Sequence, residues 1–278
     1  MKIIITGASS YVGARIYLDL HKTYDVVGTY NVSKLSKLFV KLDVTNKSEV
    51  NRVFDKEKPD LIIHAAANAS SSWCEANPKE AKDLNETSTK YIVEAANNVG
   101  AKIIYISSFA AFEPKDVYAK TKYNSEQLVK KTKESWVILR PSLILGFSPN
   151  TTNDRPFNRL LKNLDEGVVA EYDTSWKFQP TYLGQISEVI AEVIEKKINH
   201  EVIPIAVDVL KSRYETARDI LKSFGVKVVP IDMKDASHFS EKKDIGKLRE
   251  LDLPNYTYKQ IITKIKNEIK SRQEFRIG

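Results

Sequence analysis

The 278-residue chain has a single cysteine, Cys74, so it can form no intramolecular disulfide and holds no Cys-x-x-Cys zinc or redox motif. Its four histidines, at positions 21, 64, 200 and 238, are scattered and match no metal-ligand spacing, which argues against metal catalysis. No apolar run approaches the roughly 18 residues a membrane span needs. Arginine-rich runs and RNA-binding signatures are also missing, and the formal charge of +7 is spread over alternating lysines and acids. These absences point to a cytoplasmic protein that binds neither nucleic acid nor membrane.

What is present is a strand–helix alternation. Residues 2–6, KIIIT, form an apolar β-branched run ending at Gly7, as expected of a strand buried on both faces of a parallel sheet. Helical spacing follows over 12–20, with Val12, Ile16 and Leu20 on one face. Further strands are expected at 25–30, 38–44 and 60–64, with an amphipathic helix before the last, capped near Asn46 or Ser48. Pro78 opens a long helix that Gly100 closes, KIIYIS is a fifth strand, a helix follows around residue 118, and WVILRP is a sixth strand. This rhythm predicts an α/β fold with a doubly wound parallel sheet.

Beyond Arg140 the alternation loosens. The segment FSPNTTNDRP reads as a loop, followed by a helix near 156–166, a strand around 176–182 and a helix over 185–197. The expected division is a dinucleotide-binding domain, residues 1–145 plus about 174–198, and a smaller C-terminal substrate lobe, about 146–173 plus 199–278. A basic balance suits small polyanionic ligands such as dinucleotides or sugar nucleotides, because positive potential raises their local concentration.

The first strand-to-helix turn, TGASSYVG, runs from Gly7 through Ser9, Ser10, Tyr11 and Val12 to Gly13. Gly7 permits the sharp turn and Gly13 lets the helix lie close to the sheet. Ser10 stands where a Gly-x-x-Gly-x-x-Gly pattern has its middle glycine; its hydroxyl could donate to a pyrophosphate at the helix N-terminus. The second strand ends Tyr30-Asn31-Val32-Ser33-Lys34, without the carboxylate that would bind a ribose 2′-hydroxyl. Ser33 and Lys34 could instead meet a 2′-phosphate, with Asn31 also on the cofactor, so NADP(H) is favoured over NAD(H).

TGASSYVG, KLDVTN, PDLIIHAAAN, DLNETST, YISS, YAKTK and LRPSLILG, in this order, resemble the extended short-chain dehydrogenase/reductase family. HAAANASSSWCEANPKEAKDLNETSTKYIVEAANNVGA and KKDIGKLRELDLP are most similar to its dTDP-4-dehydrorhamnose reductase branch. The resemblance implies a Rossmann domain, with Asp43 and Val44 near the adenine and Ala65, Ala66 and Ala67 along the cofactor. It also implies that Asn85 supports the active-site helix and that the protein is a homodimer.

The chemistry is expected from Ser108, Tyr118 and Lys122. Reducing a ketone puts negative charge on its oxygen, which a positioned hydroxyl must protonate. A phenol of ordinary pKa near 10 needs a nearby cation to ionise readily, and residues four apart on a helix share a face. Thirteen tyrosines make chance Tyr-x-x-x-Lys matches unsurprising, and Tyr30 with Lys34 is one. Tyr118 differs because it follows the fifth strand and Ser108. Two departures from the branch stand out: Phe109 replaces an acidic residue, and only nine residues separate Ser108 from Tyr118. Substrate contacts are expected among Asn68, Trp73, Arg155, Trp176 and Gln179.

The reading is a reductase of a keto group on a nucleotide-linked sugar. Its alternatives are a sugar-nucleotide epimerase or dehydratase, which would oxidise and re-reduce one substrate, and a non-catalytic NADP-binding subunit resembling the regulatory partner of methionine adenosyltransferase.

Overall fold

The computed structural model describes residues 1–234 and 241–277; His238 lies outside them. The first half alternates as expected: β1 (Lys2–Thr6), α1 (Tyr11–Leu20), β2 (Asp25–Tyr30), β3 (Val40–Lys41), α2 (Lys47–Glu57), β4 (Leu61–His64), α3 (Ser71–Ala76), α4 (Pro78–Lys82), α5 (Ser88–Val99), β5 (Lys102–Ile106), α6 (Val117–Val129) and β6 (Trp136–Pro141). The second half carries β7 (Ile144–Leu145), α7 (Pro156–Glu166), β8 (Ala170–Asp173), β9 (Lys177–Phe178), β10 (Thr181–Tyr182), α8 (Leu183–Glu195), β11 (Glu201–Ile205), β12 (Lys211–Ser212), α9 (Arg213–Leu221), β13 (Val228–Ile231), α10 (Lys247–Glu250) and α11 (Tyr258–Lys270).

Seven strands form one parallel sheet in the order β11-β6-β5-β4-β1-β2-β3. Successive side chains of a strand point to opposite faces, so unbroken apolar strands feed two cores. Ile3, Ile5, Ile63, Ile104 and Leu139 pack on the side of α1 and α8; Ile4, Ile62, Ile103 and Ile138 pack with Val50, Phe54, Ile92 and Ala96 of α2 and α5. The first core continues without a break into the C-terminal lobe, through Phe157 and Leu160 of α7, Ile220 of α9 and Ile261 of α11.

Four expectations are corrected. The strand at 38–44 shrinks to Val40–Lys41, because Asp43 turns the chain by accepting from both the backbone and the hydroxyl of Thr45. The strand at 176–182 splits in two about Pro180, which has no N–H for a ladder: β9 pairs with β12 and β10 with β7. VIPIAV falls in the segment expected of the lobe, yet Glu201–Ile205 returns to the sheet as its edge strand, with Val202 beside Ile138, so the lobe's second part begins after it rather than at residue 199. The helix after Pro78 passes through a π-helical turn at Asp83–Thr87. No helix among the described residues is long and apolar enough to cross a membrane.

Candidate active site

All seven strands run the same way, so the segments after their carboxyl ends gather along one edge of the sheet. After β1, Gly7 adopts φ +72°, and a Cβ there would lie 2.8 Å from the Ala66 Cα. At Gly13 a Cβ would come within 2.2 Å of the Gly7 carbonyl, so α1 packs directly onto the turn. Ser10 caps α1 by accepting from the Gly13 N–H at 3.0 Å, which does not use up its own hydroxyl proton. Ser9 accepts from the Leu35 N–H and, through its carbonyl, from Asn150, tying the turn to the loop after β2 and to the segment before α7.

At the end of β2, Lys34 Nζ lies 5.3 Å from the centroid of the Tyr30 ring and Lys41 Nζ 5.6 Å from it. Lys41 also donates to the Asn31 carbonyl. The chance Tyr30–Lys34 match is therefore a real contact, though at the far side of the turn from Tyr118. Lys41 escaped the sequence reading because it sits inside what reads as a strand. Asn31, Ser33 and Lys34 are exposed, Val44 is buried, and one Asp43 oxygen is occupied by Thr45.

Asn85 sits in the π-helical turn, a distortion that recurs at functional sites. Its Oδ1 accepts from the Asn68 N–H at 2.8 Å, while its Nδ2 donates to the Asn68 carbonyl at 3.0 Å and to Thr121 Oγ1 at 3.3 Å. Its carbonyl accepts from Ser125 Oγ. The segment after β4 is thereby fastened to the face of α6 between Tyr118 and Ser125. Beneath it, His64 is buried between Thr6 Oγ1 (2.7 Å) and Thr89 Oγ1 (3.1 Å); burial, reinforced by Lys122, pushes it down to about 3.

Ser108, Tyr118 and Lys122 line one cleft of about 260 Å³ together with Ser10, Tyr11 and Val12, Ala65 and Ala67, Phe109 and Arg155. Lys122 is 2% exposed; its Nζ donates to the Ile106 carbonyl at 2.7 Å and lies 4.2 Å from the Tyr105 ring centroid. Burial pushes it down to about 7, against upward pulls from Glu126 and Cys74. Burial raises the Tyr118 phenol, and the Ser108 hydroxyl and the Arg155 guanidinium draw it back. The short loop between Ser108 and Tyr118 is a tight turn, Phe109–Phe112, in which Ser108 Oγ accepts from the Ala110 N–H. Glu113 ties this loop to Lys243 of the C-terminal lobe at 2.5 Å.

Of the expected substrate contacts, Arg155 lines the cleft. Gln179 does not serve there: its side chain is spent on the backbone of Lys243 (2.6 and 3.1 Å) and the Val207 carbonyl. Trp176 packs on Phe178 beneath Arg213. Asn68 caps its own turn by accepting from the Ser70 N–H, and Trp73 is half-buried on α3. The sequence reading missed Glu126 and Arg140, which form a hydrogen-bonded cluster with Ser107, itself a wall of the cleft. Helical spacing could have found Glu126, four residues beyond Lys122. A larger, open groove of about 880 Å³ between α7 and the C-terminus is lined by charges in mutual pairs such as Arg159–Asp154 and Arg272–Asp165. The convergent hydroxyls and buried lysine mark the smaller cleft instead.

The chain is similar to known proteins in sequence and in fold. The dTDP-4-dehydrorhamnose reductase of Aggregatibacter actinomycetemcomitans is 31% identical over 221 residues, 74% of this chain and 71% of that protein. The methionine adenosyltransferase 2 subunit beta of Xenopus laevis is 25% identical over 211 residues, 71% of this chain and 63% of that one. In fold, the chain superposes on a dTDP-4-dehydrorhamnose reductase from Bacillus anthracis in complex with NADP (TM-score 0.81, 22% identity, 96% of this chain and 99% of that). It also superposes on a UDP-glucose 4-epimerase from Thermotoga maritima with UDP-glucose (TM-score 0.83, 17% identity, 98% and 99%). The model of the RmlD substrate binding domain matches residues 1–263, and the chain belongs to that family.

Proposed function

We propose that the chain is an NADP(H)-dependent reductase of a keto group on a nucleotide-linked sugar, of the dTDP-4-dehydrorhamnose reductase kind. The observation that carries this reading is that Ser108, Tyr118 and Lys122 share one cleft with the first-turn residues Ser10, Tyr11 and Val12.

The residues suit a dinucleotide. A close turn at Gly7 and Gly13 leaves backbone room for a pyrophosphate at the start of α1, and Lys34 and Lys41 each contact the Tyr30 ring at the end of β2, where a 2′-phosphate would lie. Bound there, NADPH would supply the hydride for the carbonyl carbon. Tyr118 gives its phenolic proton to the carbonyl oxygen, Ser108 orients that oxygen by hydrogen bonding, and the Lys122 ammonium favours the phenolate left behind. Arg155 adds positive charge on the substrate side of the cleft. A second cavity of about 280 Å³ adjoins the first, sharing Leu143 and Pro156 as walls, and is of a size to take the nucleoside end of a sugar nucleotide.

The reductase relative, more similar than the regulatory subunit, supports reduction over a non-catalytic role. The family resemblance supports a cytoplasmic homodimer, which sedimentation would test. The decisive assay supplies dTDP-4-dehydrorhamnose and NADPH. Stoichiometric oxidation of NADPH with formation of dTDP-rhamnose is expected. Interconversion of a sugar nucleotide without net NADPH oxidation would replace the reading with an epimerase, and inertness across a panel of keto sugars would favour the regulatory role.

A further inference from the structure

We propose that Glu126 is a positioning residue: held by Arg140 and Ser107, its carboxylate sets the register between the end of β5, which presents Ser108, and α6, which carries Tyr118 and Lys122. The inference rests on the reductase reading above.

Glu126 lies on α6 one turn beyond Lys122, and its side chain is wholly inaccessible. A carboxylate buried that deeply needs its lone pairs filled. Arg140 Nε donates to Oε1 at 2.8 Å and Arg140 Nη2 to Oε2 at 2.6 Å, a bidentate grip; Ser107 Oγ donates to Oε1 at 2.5 Å. Each partner belongs to a different part of the site. Ser107 immediately precedes Ser108, and its N–H donates to the Leu139 carbonyl of β6 at 2.7 Å. Arg140 lies on β6, with its guanidinium 4.5 Å from the centroid of the Phe112 ring in the short loop before Tyr118. Lys122 in turn donates to the carbonyl of Ile106, the residue before Ser107. One buried carboxylate thus joins the strand end, the catalytic helix, the neighbouring strand and, through Arg140, the shortened loop.

A buried ion pair gains a fold little over well-packed hydrocarbon of the same shape. Its placement one helical turn from Lys122, on the residue adjoining Ser108, accounts for a charged cluster there. Four ionisable groups bear on Lys122: Glu126 from its own helix, Cys74 from α3, His64 from β4 and Tyr105 from β5, while Tyr118 lines the same cleft. Glu126 is the one among them that favours the ammonium most.

The test uses the isosteric Glu126→Gln in the full chain, with two readouts. For sugar reduction, kcat is expected to fall on the order of 10- to 100-fold, as small misplacements of reacting groups do, with KM for NADPH nearly unchanged. The Lys122 titration midpoint, followed by NMR of the labelled lysine side-chain carbon without substrate, is expected to move down by about one pH unit. The alkaline limb of kcat should move the same way. Should Glu126→Gln fail to fold, Ser107→Ala is expected to lower kcat about tenfold, with Ser107→Thr restoring it. A folded Glu126→Gln with the parent's midpoint and pH profile, or equal kcat in the two Ser107 variants, would overturn the inference. A shifted midpoint in a chain whose parent reduces no sugar would instead sink the reductase reading and leave the coupling of Glu126 to Lys122 standing.

Discussion

The Arg15 guanidinium and the Glu268 carboxylate, 253 positions apart in sequence, meet at 2.6 Å with both side chains less than a tenth exposed. Glu268 also accepts from the Tyr182 hydroxyl (2.5 Å) and the Phe147 N–H (2.9 Å), while Arg15 donates to Asp19 and the Phe147 carbonyl. This cluster fastens α11 of the lobe to α1 of the dinucleotide-binding unit. Glu268→Ala would leave Arg15 paired with Asp19 but strip the Tyr182 hydroxyl and the Phe147 N–H of their acceptor, and should cost about 1–3 kcal/mol in chemical denaturation. A loss below about 1 kcal/mol, the range of exposed pairs, would show that water replaces the carboxylate.

Tyr118→Phe removes the phenolic hydroxyl and keeps the ring. Turnover of the keto sugar should drop by about a hundredfold to ten-thousandfold, with NADPH affinity and thermal midpoint unchanged. Full turnover in this variant would exclude Tyr118 as the acid.

Lys34 and Lys41 each contact the Tyr30 ring at the end of β2. Replacing both with alanine should raise KM for NADPH about tenfold or more and leave KM for NADH unchanged, since the lost interactions are with a phosphate that NADH lacks. The NADPH effect should shrink at high salt. Parallel losses for both cofactors would place the 2′-phosphate elsewhere.

His64 is held down to about 3 by burial first and by Lys122 second, from an ordinary value of 6.5. A depressed folded-state value in a base means that, between about 6.5 and 3, the unfolded chain binds a proton the folded chain does not. Stability should therefore be fully retained above pH 6.5 and fall as the pH drops toward 3, by about 1.4 kcal/mol per unit at most. Denaturation midpoints of the parent and of His64→Gln, measured from pH 7 to 4, check this: the variant should show the shallower slope. Identical slopes would remove His64 from the acid response.

Features carried by local pattern were legible in advance. Unbroken β-branched runs such as KIIIT and KIIYI have only one stable setting, a strand covered on both faces, and β1 and β5 are such strands. The cap at Asn46, the start at Pro78 and the stop at Gly100 each follow from the chemistry of a single residue. Short elements were not legible. A two-residue strand such as β9 or β10 has no periodicity to detect, and the edge strand β11 reads much like lobe material because one of its sides meets no neighbouring strand. In the site, Tyr118 and Lys122 were visible as a helical pair, yet Gln179, read as a substrate contact, is occupied by the backbone of Lys243.

The sequence by itself determined the alternation of elements, the glycine-bearing turn after β1 and the helical face that carries Tyr118 and Lys122, because each depends on residues a few positions apart. Tertiary structure decided which distant groups meet: Lys41 against the Tyr30 ring, Arg140 and Ser107 around Glu126, and Arg15 against Glu268. Those meetings depend on the lateral order of parallel strands and on where the lobe's helices dock. Such choices are made by burying whole faces together, and no local spacing encodes them.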